Sequence, residues 1–137
     1  MNYTVSAIEN RADCQVIIDM ANEDKDSLEY RKTGLERQHQ TTSATSASIE
    51  ADLSAITAEL SALQTVYAGL PDGETKDDTQ VRITKAQYKK FLLEQRKAGY
   101  GSMALLSKEF DIASVDRQLL EVDEYIQALT TRFNELP

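Results

Sequence analysis

The sequence predicts an all-α protein: a long, coiled-coil-like antiparallel helical hairpin, organised as a single helical domain over residues 1–137. Three observations predict it. First, Ile49, Leu53, Ile56, Leu60, Leu63, Tyr67 and Leu70 alternate in steps of four and three, and Ile112, Val115, Leu119, Val122, Ile126, Leu129, Phe133 and Leu136 do the same. A strict 3.5-residue apolar repeat keeps one seam turned toward a partner helix. Second, the chain holds 5 Gly and 2 Pro, and apart from Gly34 and the last residue they fall at 69–73 and 99–101, where they act as punctuation. Third, Val, Ile, Leu and Phe supply 31 of 137 residues, above the level of a disordered chain.

The first arm runs over about 10–69. Ser6-Ala7-Ile8-Glu9 has the form of a capping box, and Asn10 with Asp13 offers a second start. Cys14, Ala21, Leu28 and Leu35 recur every seven residues, while Lys25 and Lys32 fill the partner positions of that heptad and are spaced to pair with Glu29 along the helix surface. Residues 38–46 are rich in Ser and Thr, which are poor helix formers. The sevenfold frame nevertheless continues through Thr42 to Ile49, Ile56, Leu63 and Leu70. A loop of arbitrary length would lose that phase, so one unbroken helix of about 90 Å is expected, with a polar middle. Behind the seam of the second half, Ala51, Ala55, Ala58 and Ala62 leave room for contact on a second face.

Gly69, Pro71 and Asp72-Gly73 end this arm. Residues 70–83 read as a hydrophilic connection in which Val81-Arg82-Ile83 is a brief extended piece. Thr84-Lys85-Ala86-Gln87 is a plausible capping box for the second arm, about 84–136. Gly99-Tyr100-Gly101-Ser102 predicts a break or kink near 99–102, with Ser102 available to cap a restart.

An up-down-up-down four-helix bundle is the alternative architecture, with turns near 39–46, 71–83 and 99–111. The long hairpin keeps the heptad frame but has little core of its own. It is therefore expected to be a subunit of a homo-oligomer or to dock on another helical protein. Its helix–connection–helix plan, with heptads in both arms, looks like that of prefoldin-type hairpin chaperone subunits. The strong β-hairpin segments that such subunits place between their helices have no counterpart here, so substrate holding is not implied.

The net charge of −8 hides an asymmetry. Residues 1–80 carry −9 and residues 98–137 carry −4, whereas Arg82, Lys85, Lys89, Lys90, Arg96 and Lys97 against Glu94 give +5 over 82–97. Overall acidity argues against duplex nucleic acid as a partner. The cationic segment reads either as a helix lying against acidic neighbours or as a binding patch for an anionic ligand or an acidic protein, with Tyr88, Phe91 and Tyr100 nearby.

Catalytic equipment is scarce. Cys14 and His39 are the lone cysteine and histidine, 25 residues apart, or about 37 Å along one helix. The chain has no phosphate loop, no nucleophile elbow, no zinc-protease motif and no dinucleotide fingerprint. No enzyme activity and no cofactor are expected. Glu36 and His39 form a Glu-x-x-His pair on one helix face, the weak candidate for a metal site in a third reading, a metal-binding helical bundle. Cys14, beside Val16, Ile17 and Ile18, reads as a small buried hydrophobe. The six tyrosines read as core-edge residues. No apolar run reaches the roughly 18 residues of a membrane span, and a cytoplasmic protein that does not engage membranes is expected. The expected role is a non-enzymatic structural or interaction protein that works through its heptad seams.

Overall fold

A computed structural model describes the whole chain, Met1–Pro137. The fold is all-α, built of long helices that pair antiparallel within each unit. A 3-10 turn at Val5–Ala7 precedes α1 (Arg11–Gly69), α2 (Glu74–Tyr100) and α3 (Ser102–Glu135). Residues 39–46 are helical, so the turn that a four-helix bundle needs there does not exist. The chain divides into two compact units, Met1–His39 with Ser107–Pro137 and Gln40–Leu106. A pair of helices has only nearest-neighbour contacts along its length, so compactness is local. On α1 the division falls at the start of the polar stretch.

Of the two helix starts offered by the sequence, Asn10 is used. Its Oδ1 accepts the Asp13 backbone N–H at 2.8 Å, and its Nδ2 donates to Asp13 Oδ2 at 2.7 Å. This satisfies one of the orphan donors of the first turn. Ser6 instead lies inside the short 3-10 turn, and its carbonyl accepts from Arg132 at 3.4 Å.

In the first unit, residues 11–39 of α1 run antiparallel to α3. Cys14 and Ala21 on α1 and Val115 and Leu129 on α3 form the buried seam, with Leu136 just past the end of α3. Cys14 is fully buried and its thiol donates to the Leu129 carbonyl at 3.3 Å. Ile112, Leu119, Val122, Ile126 and Phe133 are half-buried, as expected when one helix covers another on one side only. The N-terminal residues close over the end of the pair. Tyr3 stacks on Tyr125 at 4.7 Å and donates to Glu121, while Arg132 donates to the Ile8 carbonyl at 2.8 Å.

In the second unit, residues 40–69 of α1 run antiparallel to α2. Ile56, Leu60, Ile83 and Ala86 are buried together, and Leu53, Leu63, Tyr67 and Leu93 pack against them. Ile49 is also buried. Burial of each such aliphatic side chain is worth about 1.5–3 kcal/mol. The connection is far shorter than the expected 70–83, because α2 starts at Glu74. Glu74 and Asp77 complement the positive end of the helix dipole, which makes this acidic stretch a helix start and not a loop. Val81-Arg82-Ile83 is helical, not extended, and Ile83 faces the core. Thr84 does not cap a helix. It lies inside one, and its hydroxyl donates to the Gln80 carbonyl at 3.1 Å. Gly73 turns the chain with φ 153°, a conformation that favours glycine.

The expected break is a single residue, Gly101. Its carbonyl accepts the N–H groups of Ala104 at 3.1 Å and Leu105 at 3.2 Å, so Gly101 holds the capping position that Ser102 was expected to hold. A β-carbon at Gly101 would lie 3.3 Å from the Lys97 carbonyl oxygen, a tight contact that glycine avoids.

Candidate interaction surfaces

The seam residues Ile49, Leu53, Ile56, Leu60, Leu63 and Tyr67, and likewise Ile112, Val115, Leu119, Val122, Ile126, Leu129 and Phe133, are buried or half-buried inside their own units. The surfaces left for partners are therefore the outer faces of the helices. On α1, Val16, Met20 and Tyr30 are exposed, Tyr30 at 85 %. On α2, Val81, Tyr88, Phe91 and Leu92 are exposed, Tyr88 at 63 %. On α3 within the first unit, Phe110 and Leu120 are exposed, Phe110 at 72 %. These positions have helical spacing of their own. Val16, Met20, Glu23, Ser27 and Tyr30 step by four and three, as do Val81, Lys85, Tyr88, Leu92 and Gln95, while Phe110, Ala113, Arg117 and Leu120 step by three and four. Polar or small residues at 23, 27, 85, 95, 113 and 117 interrupt these lines, which hides them in the sequence behind the stronger seam repeat. The alanine face of 49–70 is also uncovered, because Ala51, Ala55, Ala58 and Ala62 are exposed and the contact expected on a second face is not made within the chain.

The basic segment is divided by the geometry of α2. Lys97 Nζ lies 2.6 Å from Glu50 Oε1, and the half-buried Lys90 lines the same side with Glu50 and Glu94. These two cations lie against acidic neighbours. Arg82, Lys85 and Lys89 line a separate groove with Ile56, Glu59 and Ala86. Arg96 lies 5.9 Å from the Tyr100 ring centroid. The six residues thus form no single patch. Arg82, Lys85 and Lys89 are the group that stays together in the open.

No family model, curated protein or solved structure matches the chain.

The first unit carries a polar feature that sequence reasoning missed. Lys25 Nζ lies 2.7 Å from Asp123 Oδ1, Lys32 Nζ lies 2.5 Å from Asp116 Oδ1, and His39 Nε2 lies 3.2 Å from Glu109 Oε1. The α1 partners ascend by sevens and the α3 partners descend by sevens. That is the signature of antiparallel heptads in register, and it was available in the sequence. Both lysines have their pKa raised, first by the hydrogen bond to their aspartate. The surface pairs expected with Glu29 give way to these cross-helix pairs. Lys32 also lies 3.9 Å from Glu36. Glu36 and His39 therefore face different partners, and the chain holds no group of three or more His, Cys, Asp or Glu side chains arranged to bind a metal ion. No helix is long and apolar enough to cross a membrane. Of the tyrosines, Tyr3, Tyr67, Tyr100 and Tyr125 sit at core edges, whereas Tyr30 and Tyr88 point outward, contrary to expectation.

Proposed function

We propose that the protein is a non-enzymatic helical structural and interaction protein that self-associates or docks on a partner helical protein. The carrying observation is the set of large apolar side chains left exposed after the primary seams are used, Val16, Met20 and Tyr30 on α1, Val81, Tyr88 and Leu92 on α2, and Phe110 and Leu120 on α3. Apolar stripes of this kind on an otherwise charged surface mark sites of association. The seams themselves, which the sequence suggests as the interface, serve folding in this reading, and the outer stripes serve contact. The cytoplasm, a reducing compartment, suits a lone thiol that is fully buried.

Sedimentation velocity tests the reading. The wild type is expected to associate as concentration rises. A variant with Tyr88, Leu92, Phe110 and Leu120 changed to Ser is expected to keep its helicity and lose that association. A wild type that stays monomeric throughout, or a variant that associates as strongly, counts against it.

A second reading is supported by Arg82, Lys85 and Lys89, which line one groove on α2 and suit an anionic ligand or an acidic protein. A salt-dependent titration of wild type against Lys85→Glu/Lys89→Glu tests it, and unaltered binding contradicts it.

A further inference from the structure

The outer face of α2 is unusual in carrying an apolar stripe and a cationic edge together. Val81, Tyr88 and Leu92 form the stripe, Lys85 interrupts it, and Arg82 and Lys89 border it on one side; all six side chains are exposed. Such a face asks for an occupant with apolar residues at heptad spacing and carboxylates beside them. The same chain supplies that pattern. On the outer face of α1 in the first unit, Val16, Met20 and Tyr30 are exposed, with the polar Glu23 and Ser27 between Met20 and Tyr30. Asp24 borders this stripe on one side and Asp19 and Asp26 on the other, and all three are exposed. Carboxylates on both borders mean that the cations of α2 find partners whichever way the two helices run.

We propose that the outer face of α2 docks on the outer face of the first half of α1 in a second copy of this chain. The proposal rests on the interaction-protein reading above and names its surface and partner. The two stripes have the same steps of four and three; Lys85 interrupts one, and Glu23 and Ser27 interrupt the other. In one antiparallel alignment Lys85 meets Glu23, Tyr88 meets Met20 and Leu92 meets Val16. That gives one ion pair, one sulfur–aromatic contact and one aliphatic contact on a single line. The charge asymmetry of the sequence acquires a use, since the basic segment of one copy faces the acidic arm of another.

Complementary charge reversal tests the pairing. One variant carries Arg82→Glu and Lys85→Glu, and the other carries Glu23→Lys and Asp24→Lys. All four side chains are exposed, so circular dichroism is expected to show unchanged helicity. Each variant alone is expected to sediment as a monomer at concentrations where the wild type associates. An equimolar mixture is expected to regain association, because each reversed face then meets a complementary one. Association of the single variants that matches the wild type, with no gain on mixing, overturns this pairing while leaving the broader interaction reading in place. A wild type that is monomeric throughout overturns both. If both variants lose association and mixing does not restore it, the two faces do not meet each other and the pairing is equally refuted.

Discussion

Lys32 on α1 and Asp116 on α3 approach to 2.5 Å, and one heptad away in opposite directions Lys25 meets Asp123 at 2.7 Å. The two pairs fix which residue of α1 lies beside which residue of α3, since a slip of one residue would break both together. Lys32→Glu is expected to lower the melting temperature of the first unit, and the double variant Lys32→Glu/Asp116→Lys to recover most of the loss. Thermal melts of the singles and the double measure the coupling. Additive losses in the double variant would contradict the register.

The same pairs predict an alkaline weakness. The Lys25 and Lys32 pKa values are raised in the fold above the ordinary 10.5, first by hydrogen bonds to Asp123 and Asp116. The Tyr3 phenol is pushed up to about 12, first by its hydrogen bond to Glu121. A group whose folded pKa exceeds its unfolded value stabilises the fold fully below the unfolded value and ceases to do so as pH rises through the folded one. The Tyr3 contribution is therefore expected to be lost as pH rises from about 10 toward 12, and those of Lys25 and Lys32 as pH rises beyond the ordinary lysine value of 10.5. Melts from pH 8 to 12 check this, and Lys32→Met combined with Tyr3→Phe is expected to shallow the fall.

Helix ends supply a third prediction. Asn10→Ala removes the side chain that accepts from the Asp13 N–H, and is expected to cost about 1 kcal/mol. Ser6→Ala is expected to have almost no effect, because α1 does not begin there. Urea denaturation of the two variants separates the capping sites that the sequence left open.

Two glycines are expected to respond with opposite signs. Gly34 lies inside α1 with open space where a β-carbon would go, so Gly34→Ala should stabilise by about 0.5–1 kcal/mol. Gly73 turns between α1 and α2 at φ 153°, so Gly73→Ala should destabilise by about 1 kcal/mol or more. Equal and like-signed shifts in urea melts would contradict the assigned turn.

Much of the architecture was legible because periodicity is a strong signal over a long helix. The frame from Cys14 to Leu70 carried α1 correctly through the Ser/Thr-rich 38–46 stretch, where propensity alone argues for a loop. Local signals did worse. Thr84-Lys85-Ala86-Gln87 matches a capping box, yet Ile83 packs with Ile56 and Leu60 of α1 within a helix that already begins at Glu74. Acidic residues at 72–78 resemble a solvated loop as much as a dipole-matched helix start, and only the tertiary contact decides between them. The surfaces were less legible than the fold. Tyr88 and Leu92 share α2 with the buried Ile83 and Ala86, and composition cannot say which face is turned inward.

The central claim is that the inner seam folds the protein while the outer stripes are free for contact. The most direct test is a thermal melt of Leu60→Asp beside Leu120→Asp. Leu60 is 7 % exposed among Ile56, Ile83 and Ala86, whereas Leu120 is 66 % exposed on the outer side of α3. Leu60→Asp buries an unpaired charge and is predicted to abolish or severely lower the cooperative transition. Leu120→Asp is predicted to melt within about 0.5 kcal/mol of wild type. Equal destabilisation by the two substitutions, or a larger loss from Leu120→Asp, would contradict the account.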